Sequence, residues 1–213
     1  MSTRANHWLQ AVQLARDCHA LGARTRTIHH VTGLPPREVN RLFFADPKTT
    51  PRGRAPDSPE WYHGANLLYR AKASMFISLY RRLRDGGFAA GETLVGAYRQ
   101  FLTICHCTRR ISFDRAFDLA AHTDGIWLAK TASFSVTICP TCGREFLAAP
   151  GAVALTNDDC PFCKLVQRYP CDQRVQSSFP TQALDAVANQ LRAMALVCPE
   201  HARLFAGLKS LPK

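Results

Sequence analysis

The sequence predicts a mainly α-helical protein that carries one small β element. Three observations support this fold class. Apolar residues recur at helical spacing through most of the range 7–130. Four cysteines then occur as two Cys-x-x-Cys pairs separated by 17 residues. An alternating segment leads into the first pair. We therefore expect a helical N-terminal body with a helix-turn-helix-like segment, followed by a small Cys₄ zinc-ribbon β element.

The first three helices follow from apolar spacing and from turn residues. Spacing predicts helices over 7–20 and 23–31, and Gly33 ends the second of these. Proline is tolerated in a first helical turn, so a third helix is expected over 36–44. The next stretch, 46–59, holds four prolines and one glycine, which indicates a linker without regular structure.

Three more helices are expected after the linker. Ser58 is a candidate N-cap for a long helix that begins at Pro59 and runs to Asp85. Gly86 and Gly87 stop it. The remaining two helices are expected over the following ranges: 92–105, and 112–130 with a bend at Asp124–Gly125.

The β element is expected to consist of two strands around the first cysteine pair. Alternation predicts one strand over 134–138 and a second over 146–155, turning at Pro150–Gly151. The chain should then be irregular from Cys163 to Pro180. The predicted division is a helical DNA-binding and partner-binding domain over 1–132, a zinc-binding ribbon over 133–175, and a C-terminal helical tail over 176–213.

The four paired cysteines have the spacing of a structural zinc site. Cys139 and Cys142 form the first pair, and Cys160 and Cys163 form the second. Zn²⁺ in such sites takes four thiolates in a tetrahedron, which leaves no position for water or substrate. We expect one structural Zn²⁺ per chain. Structural zinc contributes about 10–16 kcal/mol apparent in small peptides, so it can hold together an element too small for its own core.

A redox enzyme is an alternative use of two Cys-x-x-Cys pairs. Reactive pairs of that kind lie at helix N-termini, where the pKa of one thiol is lowered. The first pair here follows a predicted strand instead, which favours metal. Metal analysis would separate the two hypotheses.

The charge distribution indicates a polyanionic partner. The formal net charge is +11, and residues 1–110 account for +10 of it. Within that half, residues 25–44 fit a helix-turn-helix template with Gly33 at the turn and with Ile28 and Val31 packing against Val39 and Leu42. The second helix of such a motif enters the major groove. The candidate DNA-binding residues are three for bases (Arg37, Asn40, Arg41) and four for phosphates (Arg24, Arg26, Arg52, Arg54). A hairpin of helices packed in a core would give the same pattern.

Other function classes have little support. The chain has no phosphate-binding glycine loop and no recognisable catalytic motif, so we do not expect an enzyme or a small-molecule substrate. No apolar stretch approaches the roughly 20 residues of a membrane span, and the N-terminus lacks a signal-peptide pattern. Cytoplasmic localisation is therefore the expectation.

The chain resembles the family of the flagellar transcriptional activator subunit FlhC from about Ala11 to Val175. The segments that carry the resemblance are Leu21–Arg24, Ser58–Tyr62, Ala73–Phe76, Ala97–Tyr98, Arg115–Ala116, and the four cysteines with Gly143 and Phe146. The resemblance implies a bacterial cytoplasmic activator that binds promoter DNA and acts through RNA polymerase on flagellar operons. It also implies assembly of two such subunits with four FlhD subunits, and zinc bound by the four paired cysteines.

Two functions remain open at this point. In the first, the chain is a zinc-containing DNA-binding activator subunit that reads promoter DNA itself. In the second, it is a structural scaffold subunit whose partner reads the DNA. Charge reversal at Arg37 and Arg41 would distinguish them.

Overall fold

The computed structural model describes residues 2–45, 60–105, 110–148 and 160–178. This part of the chain is mainly helical and contains one two-stranded antiparallel sheet, which confirms the predicted fold class. None of its helices is long and apolar enough to cross a membrane. The elements are α1 (Ser2–Ala20), α2 (Thr25–Thr32), α3 (Pro36–Phe43), α4 (Glu60–His63), α5 (Leu67–Asp85), α6 (Ala90–Ile104), α7 (Phe113–Asp124), β1 (Ser135–Ile138), β2 (Glu145–Ala148), α8 (Pro161–Arg168) and α9 (Gln173–Ser178).

Helices α1, α2 and α3 pack against one another at the N-terminal end of the body. The turn between α2 and α3 is made by Gly33, whose φ of 74° lies in the left-handed region where glycine is favoured. Ile28 and Val39 are buried, as the template predicts. Val31 is partly buried against the core, whereas Leu42, the fourth residue of the predicted packing, is 40% exposed. Leu34, in the turn itself, is buried instead.

The long helix expected over 59–85 is two helices, α4 and α5. Gly64 and Ala65 interrupt it, and the side chain of Asn66 then accepts a hydrogen bond of 3.0 Å from the N–H of Tyr69. An asparagine N-cap begins a new helix at this point because it satisfies an amide that has no helical partner. The predicted cap at Ser58 and the linker 46–59 lie outside the described residues.

Helix α5 is the centre of the body. It packs against α6, α7, α8 and β2. Its buried face includes Phe76, Ile77 and Tyr80. Apolar side chains from α6 and α7 complete the core around it. Burial on several sides means that α5 is held mainly by tertiary packing.

Helix α7 ends at Asp124 rather than bending there. Gly125 has a φ of 67°, and a Cβ at this position would lie 2.7 Å from the backbone nitrogen of Ala132. The left-handed residue terminates the helix, and the chain then folds back closely on itself. The expected continuation to Lys130 is therefore wrong.

The sheet is a short antiparallel hairpin. Ser135 pairs with Ala148 and Ile138 pairs with Glu145. Both strands begin close to the predicted residues. The described part of β2 ends at Ala148, and the turn predicted at Pro150–Gly151 lies outside the described residues.

Two hydroxyl groups fasten the hairpin to the helices. The Ser74 hydroxyl accepts a hydrogen bond of 3.0 Å from the N–H of Leu147, and the Tyr62 hydroxyl donates one of 2.8 Å to the Leu147 carbonyl. All three residues are buried. Buried backbone groups need such partners because leaving one unpaired costs about 1–3 kcal/mol.

The chain after the second cysteine pair is helical where irregular structure was expected. Helix α8 begins immediately after Cys160, and α9 follows over Gln173–Ser178. Residues up to Arg168 form one compact unit, which contains both the helices and the hairpin, and Tyr169 begins a second unit. The tail beyond 178 lies outside the described residues. The division into three domains stays a prediction.

Candidate metal centre and nucleic-acid interface

The first cysteine pair lies in the turn between β1 and β2. The N–H of Cys139 donates to the Arg144 carbonyl and the N–H of Gly143 donates to the Cys139 carbonyl, both at 2.9 Å. Gly143 has a φ of 68°, which closes this tight turn without strain. The turn places Cys139 and Cys142 on the same side of the hairpin end.

The second cysteine pair lies at the start of α8. Cys160 directly precedes the helix and Cys163 is in its first turn. Pro161 is the first helical residue, a position where its missing N–H has no cost. One pair comes from a hairpin turn and the other from a helix N-terminus.

The four sulfur atoms converge to the size of a metal site. The Sγ atoms of Cys139 and Cys163 are 3.7 Å apart, and those of Cys142 and Cys160 are 3.8 Å apart. All four lie within 4.8 Å of one another. A tetrahedron with Zn–S bonds of ~2.3 Å has an edge of about 3.8 Å. The residues therefore fit a divalent ion with four thiolate ligands.

Backbone amides stabilise the thiolate form of Cys139, which is the form that binds a cation. Hydrogen bonds from the amides of Cys142 and then Thr141 lower the pKa of Cys139 to about 6. Hydrogen bonds with neighbouring sulfurs, Cys142 first, raise the pKa of Cys163 to about 12. Four thiolates this close repel one another unless a cation lies between them.

The four-cysteine centre is closed on its inner side. Cys139 and Cys160 are buried and pack with Phe146 and Phe162. Cys142 is exposed. Four sulfur ligands leave no open coordination position, so the centre suits a structural ion rather than a catalytic one.

One structural feature supports the alternative of a redox enzyme, and another argues against it. The second pair does lie at a helix N-terminus, contrary to the argument made from the sequence. However, the short sulfur distances run between the two pairs, from Cys139 to Cys163 and from Cys142 to Cys160. Convergence of all four sulfurs is the arrangement of a metal site, whereas two independent dithiols do not require it.

Arg24, which the sequence suggests for phosphate binding, is paired with a carboxylate of the protein. The Nε of Arg24 is 3.5 Å from Oδ2 of Asp114. The Oδ1 of Asp114 accepts from the backbone N–H of Arg24 at 3.1 Å and from the Thr27 hydroxyl at 2.6 Å. Arg24 is the N-cap residue of α2 and has no capping oxygen of its own. Asp114 therefore acts as the acid of a capping box, supplied by another helix.

Of the remaining candidate DNA-binding residues, four are exposed and two lie outside the described residues. Arg26, Arg37, Asn40 and Arg41 are exposed. The Thr25 hydroxyl donates to Oδ1 of Asn40 at 2.6 Å, and Arg41 lies 3.9 Å from Glu38. Arg37 and Arg41 are four residues apart, so they share a face of α3. Two further candidates, Arg52 and Arg54, lie outside the described residues.

Asp114 is the functional residue that the sequence did not reveal. It lies two residues after Ser112, the N-cap of α7, in the first helical turn, where an acidic residue is common for local reasons. Nothing in that pattern points to α2, which lies 87–90 residues earlier in the chain. The sequence around Asp114 therefore does not indicate that this residue contacts α2.

The fold and the site define a class of protein: a basic helical protein with a closed group of four thiols whose spacing fits a metal ion. The family model for the flagellar transcriptional activator FlhC matches residues 5–176. This range contains most of α1, all of α2 and α3, and the four cysteines of the centre. The chain belongs to the FlhC family of flagellar transcriptional activators.

Three relatives described as flagellar transcriptional regulator FlhC match the chain. The protein of Cupriavidus metallidurans is 27% identical over 65% of this chain and 64% of its own length. That of Proteus mirabilis is 24% identical over 72% and 78%. That of Sodalis glossinidius is 28% identical over 64% and 68%. The chain thus spans slightly less than two thirds of the Cupriavidus relative.

Proposed function

We propose that this chain is a zinc-containing, DNA-binding subunit of a hetero-oligomeric activator of the FlhD/FlhC type that controls flagellar operons. The observation that carries the proposal is the family match over 5–176, which includes both the basic helices and the four-cysteine centre. It is a regulatory role and involves no catalytic step.

The proposed ion is Zn²⁺, one per chain, held by Cys139, Cys142, Cys160 and Cys163. Four thiolates favour zinc over harder cations such as Mg²⁺ or Ca²⁺. Their sulfur spacing matches a zinc tetrahedron. When bound, the ion would join the end of the hairpin to the start of α8. It would thereby fix β2 and α8 against α5, with which both pack.

The proposed DNA-reading surface is the exposed face of α3 with the neighbouring part of α2. Arg37 and Arg41 point away from the buried Val39, and Asn40 lies beside them. Arginine suits guanine edges and asparagine suits adenine edges in the major groove. Arg26 would bind phosphate, whereas Arg24 has a structural role through Asp114. Each neutralised phosphate releases counterions, so binding should weaken steeply with salt.

The proposed partners are promoter DNA, an FlhD-type subunit in an assembly of two FlhC and four FlhD, and RNA polymerase, all in the cytoplasm. Exposed apolar side chains support a protein partner. Phe88 before α6 and Ile104 at its end are 52% and 53% exposed. Aromatic residues are enriched at protein interfaces, so Phe88 is the candidate contact.

Promoter binding by a charge-reversed variant tests the proposal. The chain is co-expressed with its FlhD-type subunit, and the variant Arg37→Glu/Arg41→Glu is compared with Arg82→Glu, a reversal on the exposed side of α5. We expect the α3 variant to lose promoter binding while assembly mass and metal content are unchanged. The control should keep most binding. Undiminished binding by the α3 variant would refute direct reading by this helix.

The scaffold alternative has one specific observation in its favour. Glu38 lies on α3 itself, within 3.9 Å of Arg41, and accepts a hydrogen bond of 3.3 Å from the Trp8 indole. A carboxylate beside the reading face repels phosphate. If the FlhD-type subunit alone gave the same footprint as the complex, the scaffold function would replace the proposal.

A further inference from the structure

Two arginines and three aromatic rings form a cluster outside the α2–α3 segment. We call it the arginine–aromatic cluster, and it consists of Trp61, Tyr62, Tyr69, Arg70 and Arg115. It joins α4, α5 and the first turn of α7. Tyr62 is buried, and the other four members are half-buried and reach the surface.

The two guanidinium groups lie over the faces of the rings. The Cζ of Arg115 is 4.9 Å from the centroid of Trp61 and 5.6 Å from that of Tyr69. The Cζ of Arg70 is 5.9 Å from the centroid of Tyr62. Trp61 and Tyr62 meet edge to face at 6.0 Å, so the cluster is continuous. Such contacts hold a guanidinium in one orientation because the ring faces are electron-rich.

Asp118, one helical turn after Arg115 on α7, is engaged with other side chains. The Trp61 indole N–H donates to Oδ2 of Asp118 at 2.7 Å, and Oδ1 of Asp118 is 3.6 Å from Nε2 of His122. Asp118 is buried. The carboxylate therefore orients Trp61, and Trp61 in turn supports Arg115.

Neither arginine of the cluster has a carboxylate within 4.0 Å in the part of the chain that the structure describes. Other arginines of the same unit do have such partners: Arg24 with Asp114, Arg41 with Glu38, Arg81 with Glu145, Arg84 with Asp124 and Arg99 with Asp17. Half-buried charges are normally compensated. Here the rings, and the Tyr62 hydroxyl beside Arg70, give orientation but no negative charge. The charge of neither guanidinium group is neutralised by an acid in the described part of the chain, so both can attract an anion.

We propose that the arginine–aromatic cluster is a second DNA contact, which binds backbone phosphates and carries no sequence preference. An arginine stacked flat on a ring presents a planar fork that matches two phosphate oxygens. The inference rests on the proposed function, since it assumes that the chain binds DNA. It adds a surface built by α4, α5 and α7, outside the α2–α3 segment.

Salt dependence of DNA binding tests the two arginines directly. The chain is co-expressed with its FlhD-type subunit, and Arg70→Gln/Arg115→Gln is compared with wild type on promoter and unrelated duplexes. We expect weaker binding to both duplexes and a salt slope reduced by about 0.9 for each lost phosphate contact. The matched control is Arg82→Gln, which removes an exposed charge about 18 Å further along α5. Its slope should not change.

Two outcomes overturn the proposal and differ from each other. If the wild-type complex binds DNA with a steep salt slope and a folded double variant has the same slope, the cluster is structural only. If the wild-type complex shows no salt-dependent DNA binding, the proposed function itself fails. Thermal unfolding and metal content establish that the variant is folded.

A measurement on the unaltered complex keeps the test valid if the variant does not fold. Arginines are modified with phenylglyoxal with and without duplex DNA, and the modified residues are identified by mass spectrometry. We expect DNA to protect Arg70 and Arg115, while Arg82 reacts equally in both samples. Equal modification of Arg115 with and without DNA would refute the contact.

Discussion

The four-cysteine centre and the α2–α3 segment are specified in different ways. All four sulfurs of the centre come from residues 139–163, and the spacing of these cysteines predicts a metal site. The position of α2 depends on Asp114, 90 residues from the amide that it caps. The first region is encoded within one stretch of chain, whereas the second is completed only after α7 has packed. Substitutions should therefore affect the two regions by different physical routes.

The largest expected effect is loss of the metal from Cys160→Ser. One of the four ligands is removed, and the described residues form no second group that could hold a metal ion. We expect metal content to fall from about one ion per chain to a small fraction, with faster hydrogen exchange in β1, β2 and the first turn of α8. Elemental analysis and exchange mass spectrometry measure both.

Cys171→Ser is the matched control for that substitution. Cys171 is exposed and lies outside the four-cysteine centre, so its replacement should leave metal content unchanged. If Cys160→Ser kept its metal and resisted chelator as wild type does, these four sulfurs would not be the ligand set.

Asp114→Ala should be the most damaging single change to the α2–α3 side. It removes the acceptor of two hydrogen bonds and leaves Arg24 without its carboxylate. We expect a loss of about 2–4 kcal/mol in the free energy of unfolding, measured by urea titration with an unchanged m-value. Asp114→Asn keeps an acceptor oxygen and should lose less.

Asp85→Ala serves as the control for Asp114→Ala. Asp85 is exposed in the last turn of α5, where an acid gives no benefit to the helix dipole. Its replacement should change stability by less than about 0.5 kcal/mol. A similarly small change for Asp114→Ala would mean that α2 is positioned by packing alone.

Two glycines with positive φ, Gly125 after α7 and Gly33 after α2, separate backbone strain from steric conflict. Gly125→Ala should cost about 2–3 kcal/mol, because φ is 67° and the new Cβ would lie 2.7 Å from the Ala132 nitrogen. Gly33→Ala at the α2–α3 turn has a φ of 74° and no atom within 4 Å of the new Cβ. It should cost only about 1 kcal/mol. Equal costs in thermal unfolding would contradict the close approach at Ala132.

The smallest expected effect concerns the attachment of the hairpin. Ser74→Ala removes the acceptor of the Leu147 N–H and should cost about 1–2 kcal/mol. Ser78→Ala, one turn further along α5, is the control and should be close to neutral. If a water molecule replaced the Ser74 hydroxyl, the two variants would have equal stability.

The sequence predicts the helical class and the cysteine ligands because both depend on short-range patterns. It also predicts Gly33 and Gly86 as helix ends, since each acts through its own backbone. It does not predict the break before α5, where Asn66 competes with continuous apolar spacing. It misses α8 as well, because Pro161 reads as a helix breaker until it is seen to occupy the first turn.

The candidate DNA-binding residues show the same limit. Arg24 and Arg41 look alike in the sequence, yet one lies beside the buried Asp114 and the other is exposed on α3. Arg115 gives no signal, because the rings that support it come from positions 61 and 69. Which arginines are available to an anion depends on pairs distant in sequence, and periodicity carries no information about them.

The two hydrogen bonds that pair the backbone of Leu147 with Ser74 and Tyr62 also affect the tendency of the hairpin to aggregate. A short strand normally presents amides and carbonyls that another chain can extend into an intermolecular sheet. In β2 the outward N–H and C=O of Leu147 are taken by the Ser74 and Tyr62 hydroxyls. Once α4 and α5 are docked, this edge of the hairpin therefore offers one donor and one acceptor fewer to a strand from another chain.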